Sequence, residues 1–144
     1  MSYIKLKKKI KKNEGYSSKP YKDQLGFLTI GYGHLILFNE KYLLKKRTTK
    51  SELEKIFLKD FSSALKDFNS FLKPFSNNKK DSELLIEMIF QIGLKGVLKF
   101  KKLLNHMARK NKHLVCFEMM NSLWYKQTPN RVKILIQTYL KDEQ

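Results

Sequence analysis

Glu14-Gly15, then Pro20-Tyr21-Lys22-Asp23, then Gly26-Phe27-Leu28-Thr29-Ile30-Gly31-Tyr32-Gly33-His34: here a lysine-rich amphipathic segment gives way to a glycine-punctuated hairpin. Upstream, residues 3 to 13 read as a short helix, with Ile4, Leu6 and Ile10 as a thin apolar face. Six lysines (Lys5, Lys7, Lys8, Lys9, Lys11 and Lys12) fill the rest of its surface. Gly15 closes the helix, since glycine takes the positive φ at which helices stop. Glu14 therefore falls at a helix C-terminus, where the dipole disfavours a negative charge and favours the protonated carboxyl. Downstream, Asp23 to Gly26 fits a type I turn, with Asp first and Gly fourth, so residues 16 to 37 form the predicted β-segment. Gly31 and Gly33 flank Tyr32 on a strand that leaves room for close approach to the backbone.

If the hairpin folds back beside the helix end, Glu14, Asp23 and the hydroxyl of Thr29 face one another across a gap. Cleaving a glycosidic bond takes a neutral acid to protonate the leaving oxygen, and a charged group that activates water or attacks carbon. These three residues can fill those roles. Spacing alone is weak support, because two acids nine apart are commonplace in a chain with 13 acids among 144 residues. Isolated acids are mostly exposed surface groups.

Outward from this stretch the pattern is helical. Residues 38 to 47 have no clear period and are predicted irregular, with helical turns. Thr49-Lys50-Ser51-Glu52 has the capping-box spacing and opens a long helix. Its Leu53, Phe57, Phe61, Leu65, Phe68 and Leu72 recur at three- and four-residue steps up to Pro74. About 22 residues at 1.5 Å each run roughly 33 Å, a length suited to joining two lobes. Phe75 to Lys80 reads as a polar loop. A nearly all-apolar helix is predicted from Asp81 or Ser82 to Ile92, stopped by Gly93 and buried at the centre of the second part. Shorter helices follow at roughly 95 to 109 and 112 to 123. The last helix opens at Thr128-Pro129 as cap and first residue, with Val132, Leu135, Ile136, Tyr139 and Leu140 as its stripe.

Composition bounds the partners. Thirty Lys and Arg against 13 Asp and Glu give a net charge of +17. That suits a polyanionic partner (nucleic acid, an anionic membrane or the bacterial envelope) or, more simply, a solvated lysine surface. At 42% hydrophobic and 12% aromatic, the chain can build a core without staples, as one compact domain or two small lobes sharing a core. Cys116 is the sole cysteine, which excludes an intramolecular disulfide; among Leu114, Val115 and Phe117 it reads as a buried structural thiol. No continuous apolar region follows Met1, so no signal peptide is expected. No run of about 18 apolar residues is present to span a membrane. No metal or other cofactor is expected.

The quoted residues resemble a known family. Glu14-Gly15, Tyr21-Lys22-Asp23, Gly26 and Thr29-Ile30-Gly31-Tyr32-Gly33-His34-Leu35 match the active-site stretch of the phage-type lysozymes. Phe90-Gln91-Ile92-Gly93, Gly96-Val97 and Trp124-Tyr125-Lys126-Gln127-Thr128-Pro129-Asn130-Arg131 continue the match in the same order. The resemblance implies an α+β, mostly helical, lysozyme-like fold in one domain, with substrate between two lobes. The N-terminal lobe, containing a small β-hairpin or sheet, would span about 14–48, the long linking helix about 49–73, and the helical C-terminal lobe about 74–144 with helix 3–13 packing on it.

The same resemblance implies a monomeric endolysin that hydrolyses the β-1,4 bond between N-acetylmuramic acid and N-acetylglucosamine in bacterial peptidoglycan. Glu14 would be the general acid, while Asp23 and Thr29 hold the water that attacks from the opposite face and inverts the configuration. Inversion calls for carboxyl groups roughly 6.5–9.5 Å apart, to admit that water. Leu35 and Phe90 match positions that bind substrate. His34 is a structural histidine beside the site, and Arg131 matches an arginine that approaches the glutamate across the lobes. Trp124 reads as a core anchor. The enzyme would be made in the cytoplasm of a host bacterium and reach the wall through a holin, causing lysis. Two cleft positions of the family are occupied by Leu103 and Glu118, which bears on contacts to the peptide stem. The short connection from His34 to Thr49 predicts a reduced helix there.

Two other functions fit the same residues. A lytic transglycosylase would use the substrate's own hydroxyl instead of water, although the water-holding roles of Asp23 and Thr29 weigh against it. A non-enzymatic cationic protein could bind the envelope or nucleic acid through its charge. No nucleic-acid module is recognisable, so no specific nucleic acid is expected. The thin apolar face of helix 3–13 weakens a membrane-perturbing role. Electrostatic contact with an anionic envelope remains as an accessory to catalysis.

Overall fold

The computed structural model describes residues 3–45 and 47–141, with the side chain of Lys45 excepted. They divide into two compact units, one ending at Ser63 and the other beginning at Ala64.

In the first unit, α1 (Ile4–Glu14) leads into a three-stranded antiparallel sheet of β1 (Ser17–Lys22), β2 (Leu28–Gly31) and β3 (His34–Leu35), in that spatial order. The predicted turn is present: the Gly26 N–H donates to the Asp23 carbonyl at 3.0 Å, and the Asp23 N–H to the Phe27 carbonyl at 2.9 Å. Tyr21 lies opposite Thr29, and Thr29 opposite Leu35. Facing residues of antiparallel strands share a side and successive residues alternate, so Tyr21, Thr29 and Leu35 form one row across the sheet. Ile30 points the other way and is buried with Leu43 and Leu53, flanked by Ile36 and Ile56. The register slips between Ser17 and Tyr21, around Pro20, which has no N–H to give the ladder.

A 3-10 turn (Phe38–Glu40) and the one-turn helix α2 (Tyr42–Lys45) precede α3 (Lys50–Asp67), the reduced helical content expected of this connection. Thr49 Oγ1 accepts the Glu52 N–H at 3.2 Å, as the capping spacing predicts. Leu53, Phe57 and Phe61 bury one face of α3. The helix does not stay α-helical up to Pro74. Phe68–Leu72 winds as a π turn and Lys73–Phe75 as a 3-10 turn, because proline lacks an N–H and its ring clashes with the preceding turn.

The boundary between the two units falls inside α3, in the stretch predicted as the linking helix. Residues 3–13 lie in the first unit. There the Tyr3 ring packs at a tilt against Phe61, Lys7 lies over the Phe61 ring, and Lys11 reaches Tyr32, Phe57 and Glu54. Leu6 and Ile10 are buried as expected, but Ile4 is exposed, so the apolar face of α1 is thinner still.

The second unit carries α4 (Lys79–Leu98), α5 (Lys101–Ala108), α6 (Lys112–Met120), α7 (Leu123–Gln127) and α8 (Pro129–Leu140). Helix α4 starts earlier than predicted because the Asn78 side chain caps it, accepting the Asp81 N–H at 2.9 Å. It breaks at Gly93 (φ 77°, ψ 162°) as expected, then resumes to Leu98. Leu84, Leu85, Ile86 and Met88 are buried, giving the predicted apolar centre. The buried Asp81 accepts from Tyr139 Oη at 2.7 Å and from the Asn77 N–H at 2.9 Å, which ties the start of α4 to α8.

Three local readings change. The single helix expected at 112–123 is two, because Ser122 caps α7 by accepting the Tyr125 N–H at 3.1 Å. Thr128 precedes α8, but its hydroxyl donates back to the Trp124 carbonyl at 3.1 Å and does not cap the helix. Leu103, expected at a cleft position, is 0% exposed in the core of α5 beside Leu104 and Met107, where an apolar side chain gains most. Cys116 and Trp124 are buried as expected, the indole lying 6.0 Å from the ring of Phe100.

Candidate active site

Glu14 is the last residue of α1 and is half-buried. The helix stops because Gly15 takes φ 75° and ψ −176°, while its N–H still bonds the Lys11 carbonyl at 3.0 Å. The φ is positive as expected, but ψ is extended, so the chain runs directly toward β1. The Glu14 carboxyl packs on the α-carbon of Gly33, in the β2–β3 turn. A methyl group built there would lie 2.8 Å from the carboxyl carbon, and Gly33 itself has φ 75°. The room anticipated around this glycine is taken by the acid.

Asp23 is held by its own turn. Its Oδ1 accepts the N–H groups of Leu25 and Phe27, both at 2.9 Å. Asp commonly organises turns this way, and here the two bonds fix the direction of the carboxylate. Thr29 is buried in β2, and its hydroxyl donates to the Phe27 carbonyl at 3.0 Å. With that hydrogen engaged, the oxygen is left as an acceptor.

Tyr21 joins these residues. It is half-buried opposite Thr29, and its phenol is harder to ionise than usual, first through burial and then through the negative fields of Glu14 and Asp23. One side chain thus sits within the fields of both acids and beside the hydroxyl. The structure brings Glu14, Asp23 and Thr29 together around it. Tyr21 has no assigned role in the sequence reading; the signal was its place two residues before Asp23, facing Thr29 across the hairpin.

The surroundings are aromatic and ionic. Tyr32 lies 4.9 Å from the Tyr16 ring and 5.5 Å from Phe57. Lys11 Nζ sits 5.1 Å from the centre of Tyr32 and 5.0 Å from Phe57, and bonds Glu54 Oε1 at 2.5 Å. Both nitrogens of His34 are engaged, Nδ1 with Asp60 at 2.7 Å and Nε2 with Glu40 at 2.9 Å. Glu40 Oε1 also accepts the Leu37 N–H at 3.0 Å. Burial opposes charge on His34, but the two carboxylates outweigh it and its pKa is raised.

Leu35 shares the Thr29 row and is exposed. Phe90 on α4 and Arg131 in the first turn of α8 are half-buried members of the second unit. Glu118, also in that unit, stands 3.9 Å from His106 Nε2.

Residues 11–138 match the family described as Phage lysozyme. Two proteins of Dictyostelium discoideum are similar over most of the chain. "Probable T4-type lysozyme 1" is 35% identical over 149 residues, covering 88% of each chain. "Probable T4-type lysozyme 2" is 33% identical over 157 residues, covering 93% of this chain and 92% of that one. The chain belongs to the phage lysozyme family and is a lysozyme-like hydrolase.

Proposed function

We propose that the chain hydrolyses the β-1,4 bond between N-acetylmuramic acid and N-acetylglucosamine in bacterial peptidoglycan, with inversion at the anomeric carbon. Glu14 is the acid, and Asp23 with Thr29 holds the water. The observation that carries this reading is the gathering of Glu14, Asp23 and Thr29 around Tyr21 in one compact unit.

Protonated Glu14 gives its proton to the leaving glycosidic oxygen as the C–O bond breaks. Positive charge grows on the sugar ring. The water's oxygen then bonds the anomeric carbon and one of its protons passes to Asp23. Because Asp23 Oδ1 is held by two amides, the carboxylate cannot swing away, and Oδ2 takes that proton. Thr29, whose own hydrogen is committed to Phe27, accepts the water's second hydrogen. A water with both hydrogens accepted presents its lone pairs to carbon. Solvent afterwards returns a proton to Glu14 and removes one from Asp23.

Muropeptide analysis of purified sacculi tests the bond and the chemistry together. Wild type should release fragments with reducing N-acetylmuramic acid ends, first formed in the inverted anomer. Glu14→Gln and Asp23→Asn should each lose more than a hundredfold in rate with an unchanged melting temperature. Anhydro-sugar ends would instead identify a transglycosylase. The lytic setting belongs to the same proposal. An enzyme made in a host cytoplasm and released through a holin lyses cells when co-expressed with a holin and leaves them intact without one.

A further inference from the structure

The outer face of α6 is apolar. Val115, Cys116 and Met119 bury one side of this helix. On the other side Leu114, Phe117 and Met120, at three-residue steps, are 40%, 53% and 52% exposed, and Leu123 at the start of α7 is 68% exposed. Three-residue steps keep side chains on neighbouring positions of one helix face, so Leu114, Phe117 and Met120 make a continuous patch, and Leu123 follows exposed across the α6–α7 break. Scattered apolar surface residues need no explanation, but a contiguous group of this size marks a contact surface.

Its electrical surroundings are one-sided. From Met88 to Lys141 the chain holds eleven Lys and Arg and one acid, Glu118. That acid lies on the flank of α6, largely buried, 3.9 Å from His106. Arg109 and Lys110 are exposed just before α6, and Lys126 is exposed at the end of α7. The patch therefore offers Phe, Leu and Met, with exposed cations just before α6 and at the end of α7.

We propose that the α6–α7 face docks on an anionic phospholipid bilayer, its apolar side chains entering the headgroup boundary while the flanking cations meet lipid phosphates. This pairing of an apolar face with basic flanks is the physical requirement for binding in the plane of a charged membrane. A polysaccharide or nucleic acid would satisfy the cations and find a stacking ring in Phe117, but would leave the aliphatic Leu114, Met120 and Leu123 in water. A second copy would press the same positive field against itself. The inference is independent of the glycosidase reading, since it uses none of the first unit's acids.

Co-sedimentation of the full chain with phosphatidylglycerol/phosphatidylethanolamine vesicles and with phosphatidylcholine vesicles tests it. Partition onto the anionic vesicles should be at least tenfold stronger and should weaken as salt screens the charges. Phe117→Ser with Leu123→Ser should lower that partition at least tenfold, with an unchanged melting temperature and unchanged hydrolysis of sacculi. Lys110→Glu with Lys126→Glu gives a second arm that leaves the apolar patch in place, and should also reduce binding. Equal binding to both vesicles, or wild-type binding by both variants, overturns the proposal. So does a lipid-free dimer in sedimentation velocity that the Phe117 and Leu123 changes dissolve.

Discussion

The carboxyl of Glu14 rests on the α-carbon of Gly33, close enough that an added methyl would come within 2.8 Å of the carboxyl carbon. Gly33 also has φ 75°, a conformation that costs an L-residue roughly 1–2 kcal/mol. Gly33→Ala should therefore strain the turn and push the acid aside. A misplacement of about 1 Å at a reacting group can cost on the order of a hundredfold in rate. The expected result is a fall of more than tenfold in clearing of cell-wall suspensions, with a modest drop in the urea midpoint. Full activity in a folded variant would show that this packing does not position the acid.

Lys11 lies one helical turn before Glu14, yet its ammonium is held by Glu54 and over the rings of Tyr32 and Phe57. Glu54→Gln should loosen that hold. A lysine three positions before a glutamate can reach it, and a nearby cation favours the ionised carboxylate. The alkaline limb of the activity profile should then move to lower pH. Lys11→Met placed in the same variant should cancel the shift. The pH dependence of hydrolysis of sacculi checks both, and a shift that survives loss of Lys11 removes Lys11 from the explanation.

Local chemistry accounts for what was legible beforehand. Glycine after Glu14, Asp and Gly at the ends of a four-residue turn, and Thr three before Glu each act within a few residues. Those features stand where the sequence placed them. Long-range partners were not legible: Gly33 under Glu14, Glu40 and Asp60 around His34, and Tyr139 on Asp81 are joined by the fold and not by spacing. Leu103 was misplaced because family position outweighed its apolar character. Tyr21 carries no charge at neutral pH, so nothing local distinguished it until the strand register set it against Thr29.

Asn78 was hidden in a run of polar residues, though it stands three before Asp81 with the spacing of a cap. Its side chain accepts the Asp81 N–H at 2.9 Å, and Asp81 is itself buried against Tyr139. Loss of an N-cap costs about 0.5–2 kcal/mol, so Asn78→Ala should lower stability by that amount in urea unfolding. Asn78→Gly, which keeps the extended backbone, should lose only a few tenths of a kcal/mol. Equal losses in the two variants would mean that the side-chain bond is not what starts α4.

The clamp on His34 sets a pH window. For both His34 and Glu40 burial is the largest single influence and opposes charge, but hydrogen bonds and opposite charges outweigh it. The His34 pKa is raised, so its contribution is complete below its usual 6.5 and is lost as pH climbs through the higher folded value. The Glu40 pKa is lowered, so its contribution is complete above 4.5 and is lost as pH falls through the lower folded value. Both are in force between about 4.5 and 6.5. His34→Asn should cost roughly 1.5–3 kcal/mol there, the worth of hydrogen bonds to charged groups, and much less at alkaline pH. Glu40→Gln should keep the bond to the Leu37 N–H while lowering the His34 pKa, since one carboxylate remains at Asp60. Urea unfolding at several pH values, with NMR titration of the imidazole, measures both effects. A His34→Asn penalty that does not change with pH would show that the ring acts through packing and not through its charge.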